Sequence, residues 1–329
     1  IEADGTIREK AAASRAGRAA PTQATPAAPL AKRARIDLVE YLDTVNVEQA
    51  REGLKLGLQA SGLVEGRDFE LRRRNAQADM ATLSTMIDAA VSDGVDLLLV
   101  ATTPALQTAL RRGKGLPTVF TLVADPKIAG AGKTDEDHLP NFTGSYLPPP
   151  HQDALPLIRT LLPNLRRIGT LYVPSEVNSV FYRDDLDRVA RAAGIELVSV
   201  GVTTMGEVPD AAIALCGRGI DALCQISDNM SGACFAPIAQ AAKRTRVPLI
   251  AFASGHVRNG AMLSIARDYR DNGEQSGRMA ARVLRGEKPA GIPFAPVLKT
   301  RVLVNPAAAA DYGVSVPKQL LDRADEVIR

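Results

Sequence analysis

The strongest constraint on the fold of this chain is a regular alternation between short apolar runs and amphipathic stretches. The run at 95–100, Val-Asp-Leu-Leu-Leu-Val, is nearly all apolar, as is typical of a strand covered on both faces of a parallel sheet. Residues 47–61 instead place Ala50, Leu54 and Leu58 at helical spacing on one face. Strands that alternate with helices in this way predict a doubly wound parallel sheet.

The alternation occurs twice, and a stretch rich in Gly, Pro and charge at 125–146 separates the two units. In the first unit we predict strands at 36–41, 69–75, 95–100 and 116–123 and helices at 47–61, 80–92 and 104–112. In the second unit we predict helices at 152–162, 181–193, 209–216 and 233–245 and strands at 167–173, 196–200, 222–226 and 248–252. Residues 261–266 should pass back to the first unit, followed by a helix at 272–284, a strand at 297–304 and two short C-terminal helices.

These elements predict an α/β fold of two Rossmann-like lobes, each a mostly parallel sheet flanked by helices. We assign residues 35–146 and 268–295 to lobe 1, and residues 147–267 and 296–329 to lobe 2. Residues 1–34 are rich in Ala, Pro and basic residues, and we predict a disordered or linker lead-in there. Ligands of open parallel sheets bind beyond the carboxyl ends of the strands, so two facing sheets predict a cleft between the lobes.

Charge and hydropathy exclude several classes of function. The net charge is +3, from 40 basic and 37 acidic residues. Residues 1–35 contain seven of the basic and three of the acidic residues, which leaves 33 basic and 34 acidic residues elsewhere. The folded part therefore has no basic excess that would attract nucleic acid. No apolar run reaches the ~18 residues that span a bilayer, and we recognise no signal peptide.

Motifs for catalysis or for cofactors are missing from the sequence. The three cysteines form no CxxC pair, and with only three histidines they show no metal-ligand spacing, although a disulfide between Cys224 and Cys234 remains open. Gly132-Lys-Thr134 resembles the end of a phosphate loop, but Lys127 stands where the first Gly of that motif is required. Without a nucleophile–base pair, we predict binding without turnover and no cofactor.

Polar and aromatic side chains gather instead at the predicted strand ends. The candidate ligand-binding residues are Tyr41, Asp43, Thr102, Thr103, Asp125, Tyr146, Ser175, Glu176, Asn178, Ser179, Asp228, Asn229, Phe252 and Ser254. Hydroxyl and amide groups beside free helix N–H groups suit a carboxylate, and an Asp opposite them suits an ammonium group. The set therefore predicts a small zwitterion such as an amino acid as the ligand.

We assign three parts of the ligand to these residues. Ser175, Asn178 and Ser179, together with Thr102 and Thr103, should receive the carboxylate, with Asn178 and Ser179 pointing outward from the strand-end loop. Asp228, helped by Asn229 or Asp125, should receive the amine. Tyr41 and Phe252 should flank the side chain.

Each candidate also has a purely structural interpretation. Thr102 and Thr103 precede Pro104 and fit a helix cap, as do Ser175 and Asn178 before the next helix. Asp228 and Asn229 fit a turn or cap, Asp125 before Pro126 fits a turn, and the aromatic residues Tyr41 and Phe252 fit core packing.

Nine segments, in order along residues 35–329, carry a family resemblance. They are Arg51–Leu58, Asn75–Leu83, Pro117–Pro126, Asn141–Gly144, Leu161–Gly169, Tyr172–Ser179, Ser227–Asn229, Leu284–Pro289 and Leu321–Ile328. With them the chain resembles the bacterial ABC-transporter substrate-binding family that includes tryptophan and tyrosine binders. The resemblance implies a type I periplasmic-binding-protein fold with three hinge crossings, a ligand between the lobes, and a partner permease and ATPase.

The resulting expectation is a monomeric solute-binding component of an ABC importer, periplasmic or otherwise extracytoplasmic and membrane-associated through its transporter. It should close its lobes on a small organic solute, an amino acid, with aromatic ones among the candidates. Two alternatives remain open at this point: a ligand-sensing domain of a signalling or regulatory protein, and an enzyme on a similar fold. An upstream output domain would favour the sensor, and chemical change of a bound substrate would favour the enzyme.

Overall fold

The apolar runs become the strands of two sheets in the computed structural model, which describes residues 29–328. The strands are β1 (Ala34–Glu40), β2 (Phe69–Asn75), β3 (Leu97–Ala101), β4 (Thr118–Val123), β5 (Phe142–Tyr146), β6 (Arg167–Tyr172), β7 (Glu196–Gly201), β8 (Ala222–Gln225), β9 (Leu249–Ala251), β10 (Leu263–Arg267), β11 (Ala295–Pro296), β12 (Thr300–Val304) and β13 (Glu326–Val327). Most of the predicted lead-in, residues 1–28, lies outside the described residues.

The amphipathic stretches become helices that cover these sheets. The helices are α1 (Val45–Ala60), α2 (Met80–Asp93), α3 (Thr103–Arg112), α4 (His151–Leu161), α5 (Val177–Ala192), α6 (Val208–Cys216), α7 (Asn229–Ala233), α8 (Phe235–Thr245), α9 (Tyr269–Leu284), α10 (Pro306–Asp311) and α11 (Lys318–Arg323). Short 3₁₀ turns at Met205–Glu207, Ser254–Asn259 and Pro289–Gly291 complete the regular structure.

The strands form two separate sheets, so the predicted two-lobed α/β architecture is confirmed. The first sheet has the spatial order β11-β5-β4-β3-β1-β2, and the second has the order β13-β12-β10-β9-β8-β6-β7. Among the described strand pairs, β10 and β12 are antiparallel and the others are parallel. We call the first sheet with its helices the first lobe, and the second sheet with its helices the second lobe.

The described chain passes between the lobes at three places. The first connection, residues 147–150, joins β5 to α4. The second connection is Asp268, which joins β10 of the second sheet to α9, a helix that packs on α1 and β4 of the first lobe. The third connection, residues 297–299, joins β11 to β12.

Helices α1 and α9 approach each other closely because both carry glycines at the contact. A methyl group on Gly53 would lie 1.9 Å from the carbonyl oxygen of Arg270, and one on Gly273 would lie 1.9 Å from that of Ala50. The two backbones therefore touch without intervening side chains. This contact fixes α9, and with it the second connection, to the first lobe.

Several element predictions were wrong in detail. The stretch at 125–146 contains a strand, β5, and the segment at 261–266 belongs to β10 of the second sheet instead of passing between lobes. The strand predicted at 297–304 is shorter, because only Thr300–Val304 form β12 and residues 297–299 connect it to β11. The helix predicted at 233–245 is α8, which begins two residues later at Phe235 and follows the short helix α7. The helix predicted at 181–193 begins earlier, at Val177.

The cysteines belong to the core of the second lobe. Cys216, Cys224 and Cys234 are all buried and all free, so the disulfide left open between Cys224 and Cys234 does not form in the described structure. Burial raises the pKa of the Cys224 thiol to about 12. These thiols therefore act as small apolar side chains.

Candidate functional site

The carboxyl ends of both sheets border a cleft in which the lobes contact each other. The Ser254 hydroxyl donates a hydrogen bond to the Gln49 side chain of the other lobe at 3.1 Å. A cavity of about 400 Å³, here called the outer cavity, lies between the lobes. Its walls are Tyr41, Leu42, Ala78, Met80, Pro104 and Gln107 of the first lobe and Val173, Ser175, Glu176, Asn178, Thr203, Met205, Asn229 and Met230 of the second.

A smaller inner cavity of about 50 Å³ lies beside the outer one, and both are lined by Leu42 and Asn229. Its other walls are Thr44, Asn46, Val47, Thr102, Leu122, Leu147, Tyr182, Ser227, Asp228, Gly232 and Tyr269. Together the two cavities have the size of a site for a small organic molecule.

Strained backbone marks the first-lobe wall of both cavities. Ala78, Thr102 and Leu122 have positive φ angles of 62°, 85° and 56°. Residues other than Gly rarely adopt such angles, and a β-branched Thr does so least readily. Strain of this kind concentrates at ligand clamps, where the surrounding structure holds it.

The second-lobe wall is rich in hydrogen-bond acceptors. The Oε2 atom of Glu176 accepts hydrogen bonds from the amides of Asn229 at 2.8 Å and Asn178 at 3.3 Å. The carbonyl oxygen Oδ1 of Asn178 is buried and has no partner within the described residues. Burial, and then the charge of Asp228, raise the pKa of Glu176.

Asp228, the second acid at this wall, is buried and caps α7. Its carboxylate accepts hydrogen bonds from the N–H of Ser231 at 2.7 Å and from the hydroxyls of Ser231 and Ser179. Burial raises the pKa of Asp228 although these hydrogen bonds oppose the shift. The cap thereby holds a carboxylate at the inner cavity.

No basic residue balances these two acids. Among the residues that line the two cavities, all within 29–328, none is Lys or Arg. A buried and a half-buried carboxylate without a cation are costly unless a ligand supplies the opposite charge. The second-lobe wall is therefore suited to a cationic group.

The opposite, first-lobe wall can supply donors. The hydroxyl of Thr102 is buried at the inner cavity and has no partner among the described residues. Thr102 precedes α3, and Thr44 and Asn46 at the start of α1 line the same cavity. Helix N-termini carry free N–H groups and favour anions, so this wall is suited to a carboxylate.

Apolar and polarisable side chains line a large part of the outer cavity. Tyr41 and Pro104 belong to the first lobe, and Met80 and Met205 lie on opposite lobes with 42% and 44% of their surface exposed. Met230 completes this set. Methionine sulfur makes favourable contacts with aromatic rings, so the outer cavity is suited to an aromatic side chain.

Half of the sequence-predicted residues come together in this site. Tyr41, Ser175, Glu176, Asn178 and Asn229 line the outer cavity, and Thr102 and Asp228, again with Asn229, line the inner one. The seven others line neither cavity: Asp43, Thr103, Asp125, Tyr146, Ser179, Phe252 and Ser254.

These other seven residues have partners elsewhere in the fold. Asp43 pairs with Arg51 and Arg73, and Asp125 and Tyr146 surround the amine of Lys127. The Thr103 hydroxyl accepts a hydrogen bond from the N–H of Ala124, Phe252 packs against His151, and the Ser254 hydroxyl donates to Gln49 across the lobes.

Ser179 differs most from its predicted position. It was expected to point outward, but its side chain is fully buried on α5. Its hydroxyl accepts from the N–H of Val173 at 2.8 Å and donates to Asp228. Ser179 therefore orients the acid instead of facing the cleft.

Four of the cavity-lining residues that sequence reasoning missed follow edge strands. Ala78 and Met80 come after β2, and Thr203 and Met205 come after β7, each the outermost strand of its sheet on that side. The strand-end rule that identified the other loops applies equally to these two strands. Applying it to them would have identified both loops.

Two further findings concern metals and membranes. Within residues 29–328, no group of three or more His, Cys, Asp or Glu side chains is arranged to hold a metal ion. Of the helices in that part of the chain, none combines the length and the apolarity that crossing a bilayer requires.

Known proteins resemble this chain over most of its length. The family model described as ABC transporter substrate binding protein matches residues 35–328. A tyrosine-binding protein of Clostridioides difficile is 31% identical over 274 residues, which are 83% of this chain and 79% of that protein.

Two solved structures extend the comparison. An ABC domain from Streptococcus pneumonia in complex with L-Trp superposes with a TM-score of 0.87 at 26% identity, over 90% of this chain and all of that one. A ligand-free, open substrate binding protein with adhesive properties from Clostridium difficile gives a TM-score of 0.70 at 29% identity, over 90% of this chain and 99% of that one. The lobes of this chain thus match the L-Trp complex better than the open structure. From the match across residues 35–328, the chain belongs to the ABC transporter substrate binding protein family.

Proposed function

We propose that this protein is the solute-binding component of an ABC importer and that it binds an aromatic amino acid in the two cavities between its lobes. The observation that carries the proposal is a pair of acids, the half-buried Glu176 and the buried Asp228. No basic residue lines the cavities beside them, and much of the remaining lining is Met, Tyr, Pro and aliphatic side chains. An α-ammonium group would balance the acids, and an aromatic ring would fill the apolar remainder.

The ligand would lie with its polar end at the junction of the cavities. Its ammonium group would bind at the second lobe, near Asn229, where Glu176 and the Asn178 carbonyl offer acceptors. Its carboxylate would bind at the first lobe, against the Thr102 hydroxyl and the start of α1. Its ring would extend into the outer cavity between the methionines.

This orientation differs from the sequence-based assignment of the carboxylate to Ser175, Asn178 and Ser179. The Ser179 hydroxyl already bonds Asp228, and Asn178 donates to Glu176. A carboxylate placed there would meet two acids of the same charge. We therefore propose that the second lobe takes the ammonium group and that the first lobe takes the carboxylate.

The binding cycle would depend on closure of the lobes. A ligand that contacts both walls binds the closed form more tightly than the open form, and this differential affinity drives closure. The closed protein would deliver its amino acid to a permease and ATPase on the extracytoplasmic side of a membrane. The family and the lack of a nucleophile–base pair in the cavities support binding without chemical change.

The chain contains no Trp, which permits a direct binding assay. Indole emission of L-tryptophan, excited at wavelengths that Tyr does not absorb, comes from the ligand alone. We expect a saturable blue shift as the indole enters the cavity, and its reversal by excess L-tyrosine. Tryptamine and indole-3-propionate, which lack the carboxylate and the ammonium group respectively, should both compete much more weakly. If L-tryptophan and L-tyrosine both fail to bind, the proposed ligand class is wrong.

A further inference from the structure

The three connections between the lobes converge on one buried side chain. Arg267 is the last residue of β10 and directly precedes the second connection at Asp268. It is only 8% exposed. A buried guanidinium must find acceptors for its five N–H groups, and their identity shows what it holds together.

The acceptors of Arg267 are supplied mainly by the other two connections. Its Nε donates to the carbonyl of Pro148 at 2.9 Å, and Nη2 donates to that of Pro149 at 3.0 Å. Its Nη1 donates to the carbonyl of Leu298 and to the hydroxyl of Thr300, both at 2.6 Å. One planar group thus binds the first and third connections while its own backbone leads into the second.

The charge of Arg267 is directed mostly at carbonyl oxygens. The nearest carboxylate is that of Asp153, at 3.4 Å, and Asp153 is largely exposed. Burial lowers the pKa of Arg267. Desolvation of a guanidinium is unfavourable, and the contacts with the carbonyl groups of two connections offset it.

A second contact joins the same segments. The amine of Lys299 in the third connection pairs with the Asp268 carboxylate in the second at 2.8 Å, and the N–H of Asp268 donates to the Lys299 carbonyl. The hinge is also next to the ligand site, because Leu147 in the first connection and Tyr269 directly after the second both line the inner cavity.

We propose that Arg267 is a positioning residue for the ligand cleft. It binds the three connections into a single hinge and so restricts the ligand-free lobes to orientations from which the cleft can close. Without it, each connection would bend independently and the lobes would sample more orientations. A binding-competent arrangement would then be populated less often, and the apparent affinity would fall by the same factor.

The test measures the distance between lobes in the ligand-free protein. Spin labels on Gln59→Cys in α1 and Ala214→Cys in α6, both exposed positions, report it as a distance distribution. The native cysteines are buried with raised thiol pKa values and should remain unlabelled. We expect Arg267→Gln to broaden the distribution while the circular dichroism stays native. A distribution as narrow as that of the unmutated protein would overturn the proposal.

Two further variants serve as controls. One distinguishes the carbonyl contacts of Arg267 from its ion pair with Asp153, and the other replaces Arg267→Gln if that variant does not fold. Asp153→Asn removes the carboxylate partner but leaves the carbonyl contacts, so the distance distribution should stay narrow. Broadening equal to that of Arg267→Gln would show that the ion pair restricts the lobes, and it would overturn the proposal. If Arg267→Gln fails to fold, Thr300→Val removes one acceptor of the third connection and should broaden the distribution to a smaller extent.

A second readout uses L-tryptophan as the probe and rests on the proposed function. Arg267 lines neither cavity, yet Arg267→Gln should weaken L-tryptophan binding about ten-fold if the competent population falls about ten-fold. Unchanged affinity alongside a broadened distribution would show that the hinge does not control binding, against the proposal. If the unmutated protein does not bind L-tryptophan, the proposed function fails and the ligand-free distances still decide the role of Arg267.

Discussion

Replacing Glu176 by Gln isolates the charge of one acid at the ligand site. The substitution keeps the size of the side chain and an oxygen that can accept from Asn229, which now donates to Oε2 at 2.8 Å. It removes the negative charge that, in our proposal, binds the ammonium group of the ligand. The shape of the outer cavity should therefore stay the same while its affinity for an amino acid falls.

The size of the effect follows from the contact that is lost. A hydrogen bond to a charged group contributes about 1.5–3 kcal/mol. At 1.4 kcal/mol per decade, Glu176→Gln should weaken L-tryptophan binding roughly ten- to hundred-fold. Asp228 lines the adjoining inner cavity and would still attract the ammonium group, so we expect weakened binding and not its complete loss.

The stability of the ligand-free protein should change in the opposite direction. Burial and Asp228 raise the pKa of Glu176, so the folded state holds this proton to a higher pH than the unfolded state does. The favourable contribution is complete below the unfolded pKa and is lost as the pH rises through the folded pKa. At neutral pH the acid therefore destabilises the fold, and Glu176→Gln should unfold at a higher urea concentration.

Titration with L-tryptophan and urea unfolding of the same samples test both parts. Glu52→Gln, at an exposed position of α1 outside both cavities, is the matched control and should change neither quantity. Unchanged L-tryptophan affinity in Glu176→Gln would refute the assignment of the ammonium group. Lower stability would show that Glu176 is held mainly by its amide partners and is not a strained acid.

Three other substitutions test separate parts of the structure. Thr102→Val removes a hydroxyl that has no partner among the described residues, so it should leave urea unfolding unchanged and weaken L-tryptophan binding about five-fold, by about 1 kcal/mol. Gly273→Ala puts a methyl group 1.9 Å from the Ala50 carbonyl and should lower the free energy of unfolding by about 3 kcal/mol or more; Gly291→Ala, with open space around it, should not, and equal effects would refute the close contact. Burial lowers the pKa of His256 to about 4, below its unfolded value of about 6.5, so stability should fall as the pH falls between these values. In urea unfolding, His256→Phe should abolish up to about 3 kcal/mol of this acid-induced loss of unfolding free energy. A variant with the same pH dependence as the unmutated protein would contradict the lowered pKa of His256.

A strand could be predicted from the sequence where nearly all of its own residues are apolar. The apolar run at 95–100 is β3, in the middle of the first sheet. Strand β5 could not be recognised this way, because its sequence Phe-Thr-Gly-Ser-Tyr is short and polar. Its Thr143 and Ser145 hydroxyls are satisfied by Ile292 and Asn272, more than a hundred residues away along the chain.

Part of the lining of the two cavities could be predicted from the sequence, but the role of each residue could not. Strand ends identify the loops that border the cleft, and Glu176 and Asp228 lie there as expected. Whether a hydroxyl faces the ligand or the protein depends on partners distant in sequence. Ser179 turns to Asp228, 49 residues later, because α5 begins at Val177 and carries Ser179 into the interior.

The role proposed for Arg267 was beyond the reach of local patterns for the same reason. An isolated Arg267 at the end of a strand has no distinctive sequence signal. Its role depends on carbonyl groups at Pro148 and Leu298, 119 and 31 residues away in the chain. Every residue carries a backbone carbonyl, so residue types do not indicate which carbonyl groups accept from a given arginine. Only the folded structure reveals this contact.

A crystal structure of the protein with L-tryptophan tests the central claim most directly. We predict that the ammonium nitrogen lies within hydrogen-bond distance of Glu176 and the Asn178 carbonyl, and that the carboxylate faces Thr102. The indole should lie in the outer cavity between Met80 and Met205. A ligand bound in the reverse orientation, with its carboxylate on the second lobe, or bound outside both cavities, would contradict the account.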